Sequence, residues 1–198
     1  MLELLGTLMG GTDRVKIMRL FLANPDNAFT EADVRSRSQL RAPMAKRELK
    51  ILMKIKFIKP SSFWRGEDKD KQRMKGFRLN ADFPLLRSIK NLLFNTEPFT
   101  RAQIIEMFKG SGRIKLIIVS GVFTRSEERR MDILIVGDSL RKRTVESAVK
   151  KMEAEIGQEL NYALFETSEY VYRVDMYDKL VRDVLDYPHE VIVDKLSL

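Results

Sequence analysis

The longest uninterrupted apolar runs in this chain of 198 residues have only a handful of residues, and Leu116–Val119 and Ile133–Val136 are two of them. Short aliphatic runs bounded by polar residues are typical of buried strands. A membrane helix needs about 20 apolar residues in succession, so we expect no membrane contact. The N-terminus Met1–Leu5 has neither a basic flank nor a small-residue cleavage site, which argues against a signal peptide and predicts a cytoplasmic protein.

Residue usage excludes several kinds of site. The chain has no Cys and a single His, His189. Disulfides, thiolate metal sites and Cys nucleophiles are therefore excluded, and so is a His-rich zinc centre. The 44% of hydrophobic residues is enough to form a packed core. We expect neither a resident metal nor a cofactor.

Charge is concentrated in the first half. Residues 1–98 contain 20 Lys and Arg against 11 Asp and Glu, a net charge of +9, whereas residues 99–198 have a net charge of −1. An asymmetry of this kind favours two modules, of which the first faces a polyanion such as nucleic acid. An ordinary well-solvated basic surface is the alternative interpretation.

Apolar spacing and capping residues predict three helices in the basic half. The first follows Thr12 or Asp13, either of which can cap it, and it ends at Asn24-Pro25. Thr30 can cap a second, short helix. Pro43 suits the first position of a third helix, because an N–H is not needed there. Along this third helix the apolar residues Ala45, Leu49, Leu52 and Met53 share one side.

Two predicted strands follow the third helix, at about 57–64 and 74–79, and the charged stretch 65–73 between them indicates an exposed loop. Three helices and a hairpin with a basic tip resemble a winged helix-turn-helix domain. Ala42–Leu52 together with Phe57-Ile58 is similar to the recognition helix and wing entry of ArsR/MarR-type bacterial regulators. The resemblance covers about residues 12–80.

This resemblance implies how DNA would be bound. A recognition helix at about 43–56 would enter the major groove with its first residues at base edges, and a wing at about 63–77 would follow the backbone. Lysines that recur every four residues are also typical of a plain solvated helix face, which is the alternative. The expected DNA-binding residues are Arg41, Met44, Lys46, Arg47, Lys50, Lys54, Lys69, Lys71, Arg73 and Lys75.

Strands alternate with helices in the second half. Thr100 can cap a helix, strands are predicted at 114–119, 132–138 and 160–165, and a long helix at about 169–186. The predicted fold class is α+β with two domains. The domains are a winged helix-turn-helix at 1–80, a linker helix at 81–98 and a small α/β domain at 99–198.

The second domain resembles a minimal nucleotidyltransferase of the DNA polymerase beta superfamily. That family places Gly-Ser after the first strand and Asp-x-Asp on the second, where the acids hold two Mg²⁺ ions. Here the pair is reversed, Ser120-Gly121, and Arg130 stands at the position of the first acid, although Asp132 matches the second. The resemblance therefore implies a catalytically degenerate domain with a vestigial pocket at Ser120, Gly121, Arg130 and Asp132.

Together these features predict a sequence-specific transcriptional regulator that binds duplex DNA. Its inactive second domain would serve dimerisation, partner contact or ligand sensing. The expected partners besides DNA are therefore a second copy of the chain and a small-molecule or nucleotide ligand of the second domain. The alternatives are an active nucleotidyltransferase that uses Asp132 with Mg²⁺, and a winged helix that binds protein.

Overall fold

The computed structural model describes residues 2–66, 70–95, 98–124 and 130–196. These residues form a mixed α+β structure with two sheets. The chain divides into two compact units: unit 1 comprises residues 1–98 and 150–158, and unit 2 comprises residues 99–149 and 159–198. Within the described ranges, no helix has the length and apolar character that crossing a bilayer requires.

Helices and a three-stranded antiparallel sheet of order β1-β3-β2 form unit 1. The last residues of a further helix, α7 (Lys142–Ile156), complete it. Its other elements are α1 (Leu2–Met9), α2 (Thr12–Ala23), β1 (Ala28–Phe29), α3 (Glu31–Arg37), α4 (Ala42–Lys54), β2 (Ile58–Arg65), β3 (Gln72–Leu79) and α5 (Leu86–Phe94).

Local capping chemistry explains where these helices begin. Thr30 forms the expected cap, because its side chain accepts a hydrogen bond from the Asp33 N–H and the Asp33 carboxylate accepts one from the Thr30 N–H. The predicted cap of α2 is wrong: Thr12 is the first helical residue, and Gly11 occupies the cap position without a side-chain bond. α4 begins one residue before Pro43.

The core of unit 1 is built from the apolar faces of α2 and α4 and the base of the hairpin. Val15, Phe21, Ala45 and Leu52 are each fully buried. Met53, which the spacing predicts on the same side, is instead 38% exposed. It lies about 100° around the helix from Leu52 and about 40° from Leu49, which places it at the edge of the buried face.

A buried arginine fastens unit 1 internally. Arg19 in α2 is 2% exposed. Its Nε and Nη2 donate to the Leu93 carbonyl at 3.2 and 2.9 Å, and its Nη1 donates to the Glu155 carbonyl at 2.9 Å. Burial lowers the pKa of Arg19, although the Glu155 carboxylate raises it. The guanidinium thereby joins α2 to the ends of α5 and α7.

Unit 2 contains a four-stranded sheet of order β6-β5-β4-β7, in which β5 and β6 are parallel and the other pairs antiparallel. The predicted cap at Thr100 is present. The elements besides the first part of α7 are α6 (Arg101–Met107), β4 (Arg113–Ser120), β5 (Ile133–Asp138), β6 (Tyr162–Glu166), α8 (Thr167–Asp175), α9 (Lys179–Leu185) and β7 (His189–Asp194).

The long helix predicted at about 169–186 is wrong, because the structure divides it into α8 and α9. Tyr177 has a φ of 53°, which a helix cannot contain. Asp178 then accepts hydrogen bonds from the Leu180 and Val181 N–H groups and caps α9.

Candidate nucleic-acid interface

Helix α4 has one buried and one exposed cationic side. Ala45, Leu49 and Leu52 are 0%, 2% and 0% exposed. Lys46, Lys50 and Lys54 are exposed and recur every four residues, so they lie along one stripe of the helix. Arg41, also exposed, occupies the N-cap position. Pro43 lies in the first turn, where proline favours the start of a helix, so the helix begins directly after Arg41.

A buried carboxylate holds Arg47, the fifth cation expected on this helix. Glu48 is 1% exposed, and its Oε1 accepts hydrogen bonds from Arg47 Nε at 2.9 Å and Nη2 at 2.8 Å. Its Oε2 accepts a bond from Arg14 Nε at 2.8 Å. Arg47 thus already has a carboxylate partner in the same helix, although its side chain is 59% exposed. Met44 is half-buried.

The hairpin carries the second group of expected cations. Register pairs Trp64 with Arg73 and Ser62 with Lys75. Lys71, Arg73 and Lys75 are all exposed. Lys69 lies outside the described residues.

Most of the expected cations are available to a polyanion. Over the residues that the structure describes, seven exposed ones form no ion pair. They are Arg41, Lys46, Lys50, Lys54, Lys71, Arg73 and Lys75. Lys56 and Arg78 are exposed in the same way. In the sequence, their charge is the only signal that could have identified these two residues, because neither continues the four-residue spacing of the lysines in α4.

An ion pair ties α3 to the hairpin. Arg65 donates to Asp33 through Nη1 at 3.1 Å and through Nη2 at 2.7 Å. Partial burial raises the pKa of Asp33, but hydrogen bonds from Arg65 and Thr30 outweigh burial and bring it from 3.8 to about 2. The strand that precedes the basic tip is thereby fixed against a helix of unit 1.

In unit 2, the fold brings Ser120, Gly121 and Asp132 together where β4 ends and β5 begins. Asp132 is fully buried. Its Oδ1 accepts a hydrogen bond from the Val122 N–H at 3.0 Å, and its Oδ2 accepts one from the Asn161 N–H at 2.8 Å. The Ser120 hydroxyl donates to the Met131 carbonyl at 2.6 Å.

Arg130, the fourth predicted pocket residue, contacts two residues of unit 2 that the predicted pocket did not include. Its Nη1 donates to Asp183 at 2.7 Å, and its guanidinium lies 5.1 Å from the centre of the Tyr187 ring. Among the described residues, no group of three or more His, Asp or Glu side chains is arranged to hold a metal ion. At Asp132, a buried carboxylate accepts hydrogen bonds from two loop amides.

Comparisons of the chain with protein-family models, with curated proteins and with solved structures give no match.

Proposed function

We propose that the protein is a sequence-specific transcriptional regulator that binds duplex DNA through unit 1. In this proposal α4 is the recognition helix of a winged helix-turn-helix, and the β2–β3 hairpin is its wing. Unit 2 is a degenerate nucleotidyltransferase-like domain that serves association or ligand sensing. The observation that supports the proposal is the set of seven exposed cations on α4 and the hairpin that form no ion pair with any described residue.

Dimensions favour duplex DNA. The 13 residues of α4 form a rod about 20 Å long, and a single helix fits the major groove, which is about 12 Å wide. Arg41 and Lys46, near the beginning of α4, are available to base edges. Lys50 and Lys54, further along, suit phosphates. Cations that have no carboxylate partner lose no ion pair when they bind a polyanion.

The test is the affinity for duplex DNA as a function of salt, measured with pooled genomic fragments and a scrambled duplex. We expect some fragments to be retained at physiological salt, and a steep fall in affinity as salt increases. Lys50→Ala should weaken binding to all fragments and lower the slope of log K against log salt by about one. Each of these changes follows from one lost phosphate contact.

Lys179→Ala is the matched control, because Lys179 is an exposed lysine at the first position of α9 in unit 2. It should leave affinity and slope unchanged. Equal effects of Lys50→Ala and Lys179→Ala would contradict a role for α4. Failure to retain DNA even at low salt, together with salt-resistant binding to a protein, would replace the proposal with a protein-binding function.

A further inference from the structure

The hairpin exposes the only tryptophan of the chain. Trp64 is 67% exposed, whereas Phe57, at the base of the same hairpin, is fully buried. Phe63 and Phe77 are half-buried. An indole that is two-thirds in water contributes little to the core, so folding does not account for a large aromatic residue at this position.

Two cations of the neighbouring strand share one face of the hairpin with this indole. Trp64 lies directly opposite Arg73, and the next pair on the same face is Ser62 with Lys75. Phe63 and Arg65 lie on the other face, because successive residues of a strand alternate. The Arg65 guanidinium covers the Phe63 ring at 5.5 Å and is bound to Asp33. Arg65 therefore leaves the indole uncovered.

We propose that Trp64 stacks on the face of a nucleobase while Arg73 and Lys75 bind the phosphates beside it. This inference rests on the proposed function and adds a second contact to it. A flat aromatic ring beside two cations that form no ion pair among the described residues matches a base beside phosphates, since stacking and phosphate contact then occur together. An apolar protein surface fits less well, because it would remove Arg73 and Lys75 from water without giving them a partner.

Two kinds of DNA can offer an open base face. One is a duplex step that is unstacked by a side chain inserted from the minor groove, which kinks the helix. The other is an unpaired base in a single-stranded segment. Both provide the same chemistry, so the experiment includes duplex and single-stranded oligonucleotides.

Because Trp64 is the sole tryptophan, its fluorescence reports directly on this contact. The full chain is titrated with each oligonucleotide, and anisotropy of a label on the DNA measures binding in the same samples. We expect the tryptophan emission to be quenched in parallel with binding. Quenching by duplex assigns the contact to a kinked step, and quenching by the single strand alone assigns it to an unpaired base.

Variants separate stacking from charge. Trp64→Ala should lower the affinity at least about fivefold, since one stacked base contributes about 1–3 kcal/mol, whereas Trp64→Phe should retain most of it. The salt slope should not change, because no cation is lost. Arg73→Ala should lower that slope. Tyr172→Ala is the control, because Tyr172 is a similarly exposed aromatic residue, 63% accessible, in α8.

Binding detected by anisotropy, with unchanged tryptophan emission and full affinity of Trp64→Ala, would overturn the stacking contact and leave the proposed function intact. Absence of any DNA binding by the folded wild-type chain would overturn both. A loss of affinity in Trp64→Ala that Trp64→Phe does not restore would also contradict stacking, provided that circular dichroism shows both variants folded.

Discussion

At the scale of single residues, Asp132 fits two roles: a metal-binding acid, or an acceptor of hydrogen bonds from the backbone of two loops. Its match to a metal-binding acid is visible in the sequence. Its hydrogen bonds to the Val122 and Asn161 amides are not, because they depend on how two separate loops fold. Gly121 has a φ of 55°, and a Cβ on it would overlap the Asp132 Oδ1. A glycine is required here so that the carboxylate can reach the loop.

Loss of this carboxylate should destabilise the fold. We expect Asp132→Ala to lower the free energy of unfolding by about 3 kcal/mol, because two partly buried amides lose the charged acceptor that Asp132 supplies from the core. Urea denaturation followed by circular dichroism measures the change. Asp175→Ala, at the exposed end of α8, is the control and should remain within about 0.5 kcal/mol of wild type. If Asp132→Ala left the free energy of unfolding nearly unchanged but abolished incorporation of nucleotides, the result would instead support an active nucleotidyltransferase.

At the scale of elements, the ion pair between α3 and the hairpin should make stability depend on acidity. The folded pKa of Asp33, about 2, lies below its ordinary value of 3.8. Its contribution is therefore fully present above about pH 4 and is lost as the pH falls through 2. Arg65 is 50% exposed, so solvent screening limits the contribution to about 1 kcal/mol.

The measurement compares the unfolding free energy of wild type and Asp33→Asn between pH 2 and pH 6. We expect a difference of about 1 kcal/mol at pH 6 that shrinks towards zero near pH 2. Asp82→Asn provides the control, because the Asp82 side chain is 87% exposed and its 3.7 Å ion pair with Lys59 is a surface pair that contributes little. A difference between wild type and Asp33→Asn that did not change with pH would contradict this account.

Elements that depend on local signals could be predicted from the sequence. Thr30 and Thr100 cap helices as expected, and the apolar runs at 114–119 and 133–136 are strands. Elements that depend on distant partners could not. The two residues of β1 form a strand only because β3 lies beside them, and the apolar piece at 191–193 is recognisable as part of β7 only through its pairing with β4.

The candidate site shows the same limit. Charge and four-residue spacing identify the cations of α4, because both are properties of the helix alone. The ion pair of Arg47 depends on Glu48, and the burial of Glu48 follows from the packing of α4. Glu48 also binds Arg14, which lies 34 residues earlier in the sequence. Exposure of Trp64 could not be predicted, since an aromatic residue in a strand is usually interpreted as core.

At the scale of the whole molecule, unit 1 is discontinuous. Residues 150–158 complete it, and Gly157 packs tightly against α2: a Cβ there would overlap the carbonyl carbon of Arg19. The Gly157 carbonyl also accepts a hydrogen bond from Asn24 Nδ2 at 2.9 Å. Stability of the basic half therefore depends on residues that follow much of unit 2 in the sequence.

Gly157→Ala in the full chain should destabilise unit 1 selectively. Gly110→Ala is the matched control, because both glycines have positive φ, 91° and 81°, but a Cβ at Gly110 meets no atom within 4 Å. We expect a loss of about 1 kcal/mol at Gly110 from backbone conformation alone, and about 2 kcal/mol more at Gly157 from the overlap. Hydrogen exchange should show faster opening in α2 and α5 for Gly157→Ala. Equal losses for both variants would contradict the tight packing.

The discontinuity of unit 1 also has a consequence during synthesis on the ribosome. At about 5–20 residues per second, the roughly 60 residues from Pro98 to Gln158 delay completion of unit 1 by about 3–12 s. Throughout that interval Arg19 lacks the Glu155 carbonyl, while β4 and β5 of unit 2 are already being made. A chain released within that interval would carry the cationic helix α4 on a unit that lacks residues 150–158.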